Sequence, residues 1–415
     1  MGAPAPVNHS PGVFRVLADG CYHLAFPDHG VEFTADRLRR ERHELIGELS
    51  VACGIVGARA IDGVLSVGTF NLSSPAAASQ RAKLLAERAR APGIPWGDML
   101  EEVRQRVLAE DRKGAPSVNL RTVSLPASAD AEVDFCGITL PSDHFSVLFG
   151  DGGTGKSFLA LRLLSELAAG GLSVGLFDWE LSETTHRLRL EAINGPNMPD
   201  VRYVRLERPL VHEVDRLRRI IRQDGLRYAV LDSIGYGTAG APESAEAAMD
   251  YCRAVRQLGI GCLALAHVTK AENGDQRPFG STFWHNSARA TWNLKLANTS
   301  QDGQVLQLAG FHRKSNLGRL RPPIGLKVSF EEPRVYFTPI DAATIDEVAS
   351  SLPMHVRLRG ALHSGLKTIS QLADELDAKP DTVKKALTRN GRTFTCITNT
   401  DDGVHRWGLL ERRSA

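Results

Sequence analysis

Between residues 144 and 268, five short apolar runs alternate with four stretches of helical periodicity. The runs are HFSVLF (144–149), LSVGLFDW (172–179), VRYVRL (201–206), YAVLDSI (228–234) and GCLALAHV (261–268), and the helical stretches are 156–169, 182–193, 210–224 and 243–258. No other feature limits the fold as much. A strand that is apolar on both faces must be covered on both, and helices between successive strands supply that cover, which predicts a doubly wound, mainly parallel sheet. Two further strands, around 303–312 and 324–339, extend it. The middle of the chain, 116–345, therefore reads as an α/β domain entered through the polar stretch SLPASADAEVD.

The flanks read differently. Residues 1–30, rich in Pro, Gly and Ala around FRVLADGCYHLAF, predict a flexible, loosely docked arm. Residues 31–115 predict a small, mainly helical N-terminal domain. Thr34 suits an N-cap, Leu38, Leu45, Ile46 and Leu49 recur at helical spacing over 34–53, and helices over 76–90 and 97–112 follow a strand-like LSVGTFNL. Such helices serve equally to brace the next domain or a neighbouring subunit. Residues 354–415 predict helices at 354–363, 368–377 and 380–390, then RTFTCIT and HRWGLL strands joined by Asn399 to Gly403. Three helices followed by a hairpin describe a winged helix-turn-helix.

Charge and cysteine usage narrow the setting. Fifty Lys and Arg against 48 Asp and Glu leave a formal charge of +2, so any basic surface has to be local. Residues 354–415 alone lean basic, with eleven Lys and Arg against seven Asp and Glu. Six cysteines without a CxxC pair exclude a zinc knuckle and a disulfide framework. No apolar run approaches the roughly 18 residues needed to span a bilayer, and the N-terminus lacks the order of a signal peptide. The expectation is a cytoplasmic protein with no membrane association.

Gly150, Asp151, Gly152, Gly153, Thr154, Gly155, Lys156 and Ser157 match GxxxxGK[ST] directly after an apolar strand and at the start of an amphipathic helix. In that context successive backbone N–H groups turn inward around a phosphate, Lys156 reaches the outer phosphates of a nucleotide such as ATP, and Ser157 ligates Mg²⁺. Asp232 closes the apolar strand YAVLD, the Walker-B arrangement that places an acid beside the metal. Glu180 ends LFDWE at the edge where parallel sheets put their chemistry, which suits the base that polarises an attacking water, with Asp178 as the competing candidate. His267, at the end of GCLALAH, reads either as a γ-phosphate sensor or as a hydrogen-bonded surface histidine. The polar loop after it carries Lys270 and Arg277, a place for DNA contacts or for plain solvation.

This order of residues resembles a RecA-like ATPase. LFDWE, YAVLDSIG, LAHVTK and GSTFWHNSARATW are similar to the plasmid replication helicase family named RepA and its AAA-type relatives in phage and mobile elements, and more distantly to DnaB helicases. The resemblance spans roughly 140–340. It implies rings or filaments with ATP at each subunit boundary and a cation donated in trans. Hexameric relatives carry a Lys-x-Arg pair on a late strand. Lys314 suits that lysine, Asn316 stands at the arginine position, and Arg313 and Arg319 are the substitutes at hand.

In the winged-helix reading, 379–389 is the recognition helix, with Thr382, Lys384, Lys385 and Arg389 toward DNA, Val383, Ala386 and Leu387 inward, and Arg392 near the wing. Such modules also dock proteins. The sequence thus predicts a ring-forming, Mg-ATP-hydrolysing motor on single-stranded DNA. Two other functions fit the same residues: an ATP-switched recombination mediator or helicase loader, and a winged-helix DNA-binding regulator.

Overall fold

The computed structural model describes residues 11–17, 20–114, 117–124, 132–268, 278, 280–342, 345, 352–398 and 403–410. The chain divides into two compact units, Met1–Ser124 and Leu125–Ala415. Among the described residues, no helix is long and apolar enough to cross a membrane.

The first unit corrects the reading of 31–115 as mainly helical. Five antiparallel strands form a meander: β1 (Val13–Val16), β2 (Tyr22–Phe26), β3 (Val31–Glu41), β4 (Glu44–Cys53) and β5 (Val64–Asn71). The 34–53 segment is thus a hairpin, and Thr34 pairs with Ser50 across it instead of capping a helix. Leu45, Leu49, Val51 and Cys53 all point to the buried face, a period of two that also happens to satisfy helical spacing over part of its length. The turn between β3 and β4 places Arg42 at φ +56° without a glycine or asparagine to announce it.

Strands β1 and β2 are likewise not a loose arm, because they pair with each other and Leu24 and Phe26 of β2 are buried in the sheet's core. The helices α1 (Pro75–Ala89) and α2 (Trp96–Lys113) fall where they were expected. Ser74 caps the first by accepting from Ala77 N, and Leu85, Met99, Leu100 and Val103 close over Phe33, Leu49 and Val51.

The second unit opens with a small hairpin, β6 (Glu132–Phe135) and β7 (Ile138–Pro141), followed by the predicted alternation. This runs β8 (Phe145–Gly150), α3 (Lys156–Ala169), β9 (Val174–Asp178), α4 (Glu183–Asn194), β10 (Val201–Arg205), α5 (Leu210–Asp224), β11 (Tyr228–Asp232), the short α6 (Ile234–Gly237), α7 (Ala245–Gln257) and β12 (Gly261–Ala266). After α8 (Phe283–Ser287) come β13 (Ala290–Thr299), β14 (Val305–Ser315), β15 (Ile324–Glu331) and β16 (Arg334–Ile340).

The nine strands lie in the order β10-β9-β11-β12-β8-β13-β14-β15-β16. The contacts from β10 through β13 are parallel and the last three strands add antiparallel pairs. Adjacent strand residues face opposite cores: Phe149 and Phe177 pack with Leu217 and Tyr251 on one side, Leu148 and Leu176 with Leu159 and Leu163 on the other.

The unit ends with α9 (Met354–Leu362), α10 (Ile369–Glu375), α11 (Pro380–Arg389) and the hairpin β17 (Phe394–Thr398) with β18 (His405–Leu409). Thr368 and Gln371 form a reciprocal capping box on α10, and Pro380 opens α11. Leu358, Leu372, Val383, Leu387 and Phe394 make the core of this segment.

Candidate active site

Strands β9, β11, β12 and β8 are consecutive neighbours, so their carboxyl ends deliver side by side the Asp178 to Glu180 turn, Asp232, His267 and the glycine-rich loop. Asp178 and Asp232 are register partners. In an open α/β sheet, the crevice beyond these strand ends is where ligands are held.

Backbone geometry explains the glycines. Gly153 and Gly155 sit at φ +76° and +73°, where a side chain would be strained. Gly150 is needed for another reason, since a Cβ there would lie 2.3 Å from the Leu294 carbonyl oxygen of β13. Lys156 opens α3 and is buried, and its Nζ donates to Gly150 O at 2.9 Å and Asp151 O at 2.7 Å. Burial pulls its pKa down, while Asp232, Asp151 and Glu180 pull it back up.

Ser157, the next helical residue, shares a hydrogen bond with the Asp232 carboxyl. Asp232 is almost fully buried, and that burial pushes its pKa up to about 6; the Glu180 and Asp178 carboxylates push the same way, while the Ser157 bond and His186 oppose. A buried acid bonded to a hydroxyl at a helix start, beside two other carboxylates, is a set of hard oxygen donors. Ser157 and Asp232 therefore fit a Mg²⁺ ion that phosphate oxygens would share.

The two candidate bases occupy different surroundings. Glu180 is exposed on the wall of the cleft, and its Oε1 accepts a 2.6 Å hydrogen bond from Ser233 Oγ. Asp178 is wholly buried and its Oδ2 accepts from the backbone amides of Glu180 (3.2 Å) and Leu181 (2.6 Å). Only Glu180 is placed to meet a water in the cleft.

The cleft holds about 340 Å³. Gly152, Gly153, Gly155, Lys156, Ser157, Glu180, Asp232, Ser233 and His267 contribute to its lining. The remainder includes a group invisible to motif reading: Phe158, Arg189, Leu306 and Phe330. The Arg189 guanidinium lies 4.8 Å from the Phe158 ring centre, and Phe158 meets Phe330 edge-on at 5.6 Å. Flat, apolar and cationic faces of this kind suit a nucleobase. They come from α3, α4, β14 and β15, so no local spacing in the sequence could have announced them.

Other predicted positions fare unevenly. Lys314 does not project as a free cation: its Nζ donates to the carbonyls of His285 (3.0 Å), Asn286 (2.6 Å) and Ala288 (2.8 Å), clasping the end of α8. That clasp gives Lys314 a structural role within its own chain. Arg313 stacks over Phe311 at 4.9 Å, and Arg319 is exposed. The Asn316 backbone amide donates to Arg289 O at 2.8 Å. Lys270 and Arg277 lie outside the described residues. On α11, Thr382, Lys384, Lys385 and Arg389 are exposed, while Val383 and Leu387 are buried.

Residues 128–273 match the family model described as an AAA domain. The phosphate loop, Glu180, Asp232 and His267 all fall within that matched stretch. None of the curated protein sequences compared with the chain matches it. Among solved structures, one described as an ATPase domain is 15% identical with a TM-score of 0.37, covering 44% of this chain and 81% of that one. A DnaB-like replicative helicase, described with its interactions with primase, is 14% identical at a TM-score of 0.35 and covers 46% of this chain. The match spans 55% of that helicase's own length. A KaiC-like protein from the hyperthermophilic archaeon Pyrococcus horikoshii OT3 is 15% identical at 0.37, covering 48% and 91%.

Proposed function

We propose that this chain is a Mg-ATP-hydrolysing, RecA-like DNA motor, a ring-forming helicase or replication protein of a mobile element that works in the cytoplasm on single-stranded DNA. The observation that carries the reading is the convergence of Lys156, Ser157, Asp232 and Glu180 on one cleft at the ends of adjacent strands. The loop amides and Lys156 hold the phosphates, and Phe158, Arg189 and Phe330 hold the base. Ser157 and Asp232 would hold Mg²⁺, which would supply neutralisation of charge at the phosphates. Glu180, kept in place by Ser233, accepts a proton from the water whose oxygen bonds to the terminal phosphorus, and the bond from that phosphorus to the oxygen bridging it to the middle phosphate breaks, releasing ADP and inorganic phosphate.

Apart from His267, Lys156 and Arg189 are the titratable cations among the described lining residues, and Arg189 is stacked on Phe158. A further cation at the transferring phosphate would therefore come from a second copy, with Arg313 or Arg319 as the donor in place of Lys314. DNA contact is assigned to the exposed Lys384, Lys385 and Arg389 of a winged helix, with Lys270 and Arg277 as additional contacts.

Purified full-length protein should hydrolyse ATP faster with single-stranded DNA, and Lys156→Ala should abolish turnover. Equal rates with and without DNA would remove the motor. Slow turnover with ATP-dependent assembly on a partner helicase would favour a loader or mediator. Sequence-specific footprints that survive Lys156→Ala would favour a regulator whose basic α11 face reads an operator.

A further inference from the structure

Asp178 is the most deeply buried acid of the site and the one the chemistry above leaves unused. Its side chain has no exposure and does not line the cleft, so it meets neither water nor phosphate there. An ionised carboxylate in such a place costs several kcal/mol unless it is well partnered. Its contacts all converge on Oδ2, while Oδ1 is buried without a hydrogen-bond partner. Oδ2 accepts from the amides of Glu180 and Leu181, the first residues beyond β9 apart from Trp179. Arg205, its register partner on the edge strand β10, brings Nη1 to 3.5 Å of the same oxygen. His186, from the second turn of α4, places Nε2 at 3.4 Å.

The opposite side of the turn is held by the same strand. The Leu181 carbonyl accepts from Arg205 Nη1 at 2.8 Å and from the Tyr203 hydroxyl at 2.7 Å. The amide and the carbonyl of Leu181 are therefore both pinned from β10 and Asp178, while the Glu180 side chain is pinned at its far end by Ser233. The backbone that carries Glu180 is fixed before any substrate arrives.

We propose that Asp178 is a positioning residue for Glu180, with Arg205 as its surface-accessible partner: together they hold the 180–181 turn so that the Glu180 carboxylate stays aimed into the cleft. The proposal rests on the reading of Glu180 as the base. Displacing a catalytic group by about 1 Å costs on the order of 100-fold in rate, whereas nucleotide binding depends on the loop and the Phe158 cluster and is spared.

The test uses full-length protein and four forms: unaltered, Asp178→Asn, Glu180→Gln and the double variant. Turnover is followed by release of radiolabelled phosphate under single-turnover conditions with excess enzyme, and binding by a fluorescent ATP analogue. Asp178→Asn is expected to lower the hydrolysis rate by about 10- to 100-fold with nucleotide affinity within about twofold. In the Glu180→Gln background, the same change should alter the residual rate by less than about twofold. An equal loss in both backgrounds, or a loss of nucleotide affinity that matches the loss of rate, overturns the proposal.

If Glu180→Gln alone keeps full activity, the base reading fails, and a rate loss in Asp178→Asn then has another origin. Arg205→Met guards against a folding defect, because Arg205 is itself exposed although its Nη1 reaches the buried Asp178 carboxylate. It should lower the rate by about 3- to 10-fold at unchanged affinity and unfolding temperature. An unchanged rate in that variant removes Arg205 from the proposal and leaves the cycle to decide for Asp178.

Discussion

The hydroxyl of Ser233 donates a 2.6 Å hydrogen bond to Oε1 of Glu180, so the residue that follows the metal-side acid Asp232 also steadies the candidate base. The two acids are thus mechanically joined across neighbouring strands. Ser233→Ala should leave Glu180 in the cleft but free to wander. The expected result is a fall in kcat of about tenfold, equivalent to about 1.4 kcal/mol of barrier, with KM for ATP little changed. Steady-state kinetics with saturating single-stranded DNA would show it, and a rise in KM at constant kcat would contradict it.

The Asp232 carboxyl gives a pH dependence with a definite sign. Its folded pKa is raised from 3.8 to about 6, so the stability tied to its neutral form is complete below about 3.8 and is lost as pH climbs through 6. Asp232→Asn stays neutral throughout. In Mg²⁺-free and nucleotide-free solution, the variant should therefore be more stable than the unaltered protein at pH 8, by on the order of 3 kcal/mol. The difference should shrink toward zero near pH 4. Urea melts across this range would detect it, and a difference that grows on acidification would refute it.

If Arg189 and Phe158 hold the base, binding of the base and binding of the phosphates are separable. Arg189→Ala should weaken ATP binding by about 5- to 30-fold, corresponding to about 1–2 kcal/mol. Inhibition by inorganic tripolyphosphate should stay within about twofold. Parallel losses for both ligands would mean that Arg189 contacts phosphate instead.

Lys314 is predicted to act on stability. Its ammonium gathers three carbonyls at the end of α8, and being partly exposed it contributes on the order of 1–2 kcal/mol. Lys314→Met should lower the unfolding temperature. In the surviving folded protein, mixing with Lys156→Ala subunits should reveal no trans complementation, whereas complementation would restore its reading as a finger.

On α11, replacing Lys384 and Lys385 together with alanine should weaken DNA binding about tenfold at moderate salt and reduce the slope of log affinity against log salt by about 2. The ATPase rate without DNA should not change. Filter binding across a salt series would decide, and an unaltered slope would assign this face to a protein partner.

The sheet, the phosphate loop and Asp232 were legible because each depends on neighbours within about ten residues: apolar runs, glycine spacing and a strand-end acid. The N-terminal hairpin was not, since Leu38, Leu45, Ile46 and Leu49 satisfy helical spacing while Leu45, Leu49, Val51 and Cys53 satisfy that of a strand. Pairing with β2 and β5, which no local pattern encodes, favours the strand. Strand β13 escaped notice because it buries the polar Thr291 and Asn293 in mid-sheet. The sequence pattern put Glu180 ahead of Asp178 but offered no geometry to separate them. In the structure two backbone amides occupy the Asp178 carboxylate, whereas Glu180 lines the cleft.

Lys156 spans the mouth of its own loop, bonded to the carbonyls at positions 150 and 151. That internal strut has a kinetic corollary. On the proposed function, an arriving nucleotide would trade two lysine–carbonyl contacts for lysine–phosphate ones by the swing of a single side chain. Capture should then be governed by encounter rather than by reshaping of the cradle, and the burden of timing falls on hydrolysis and product departure.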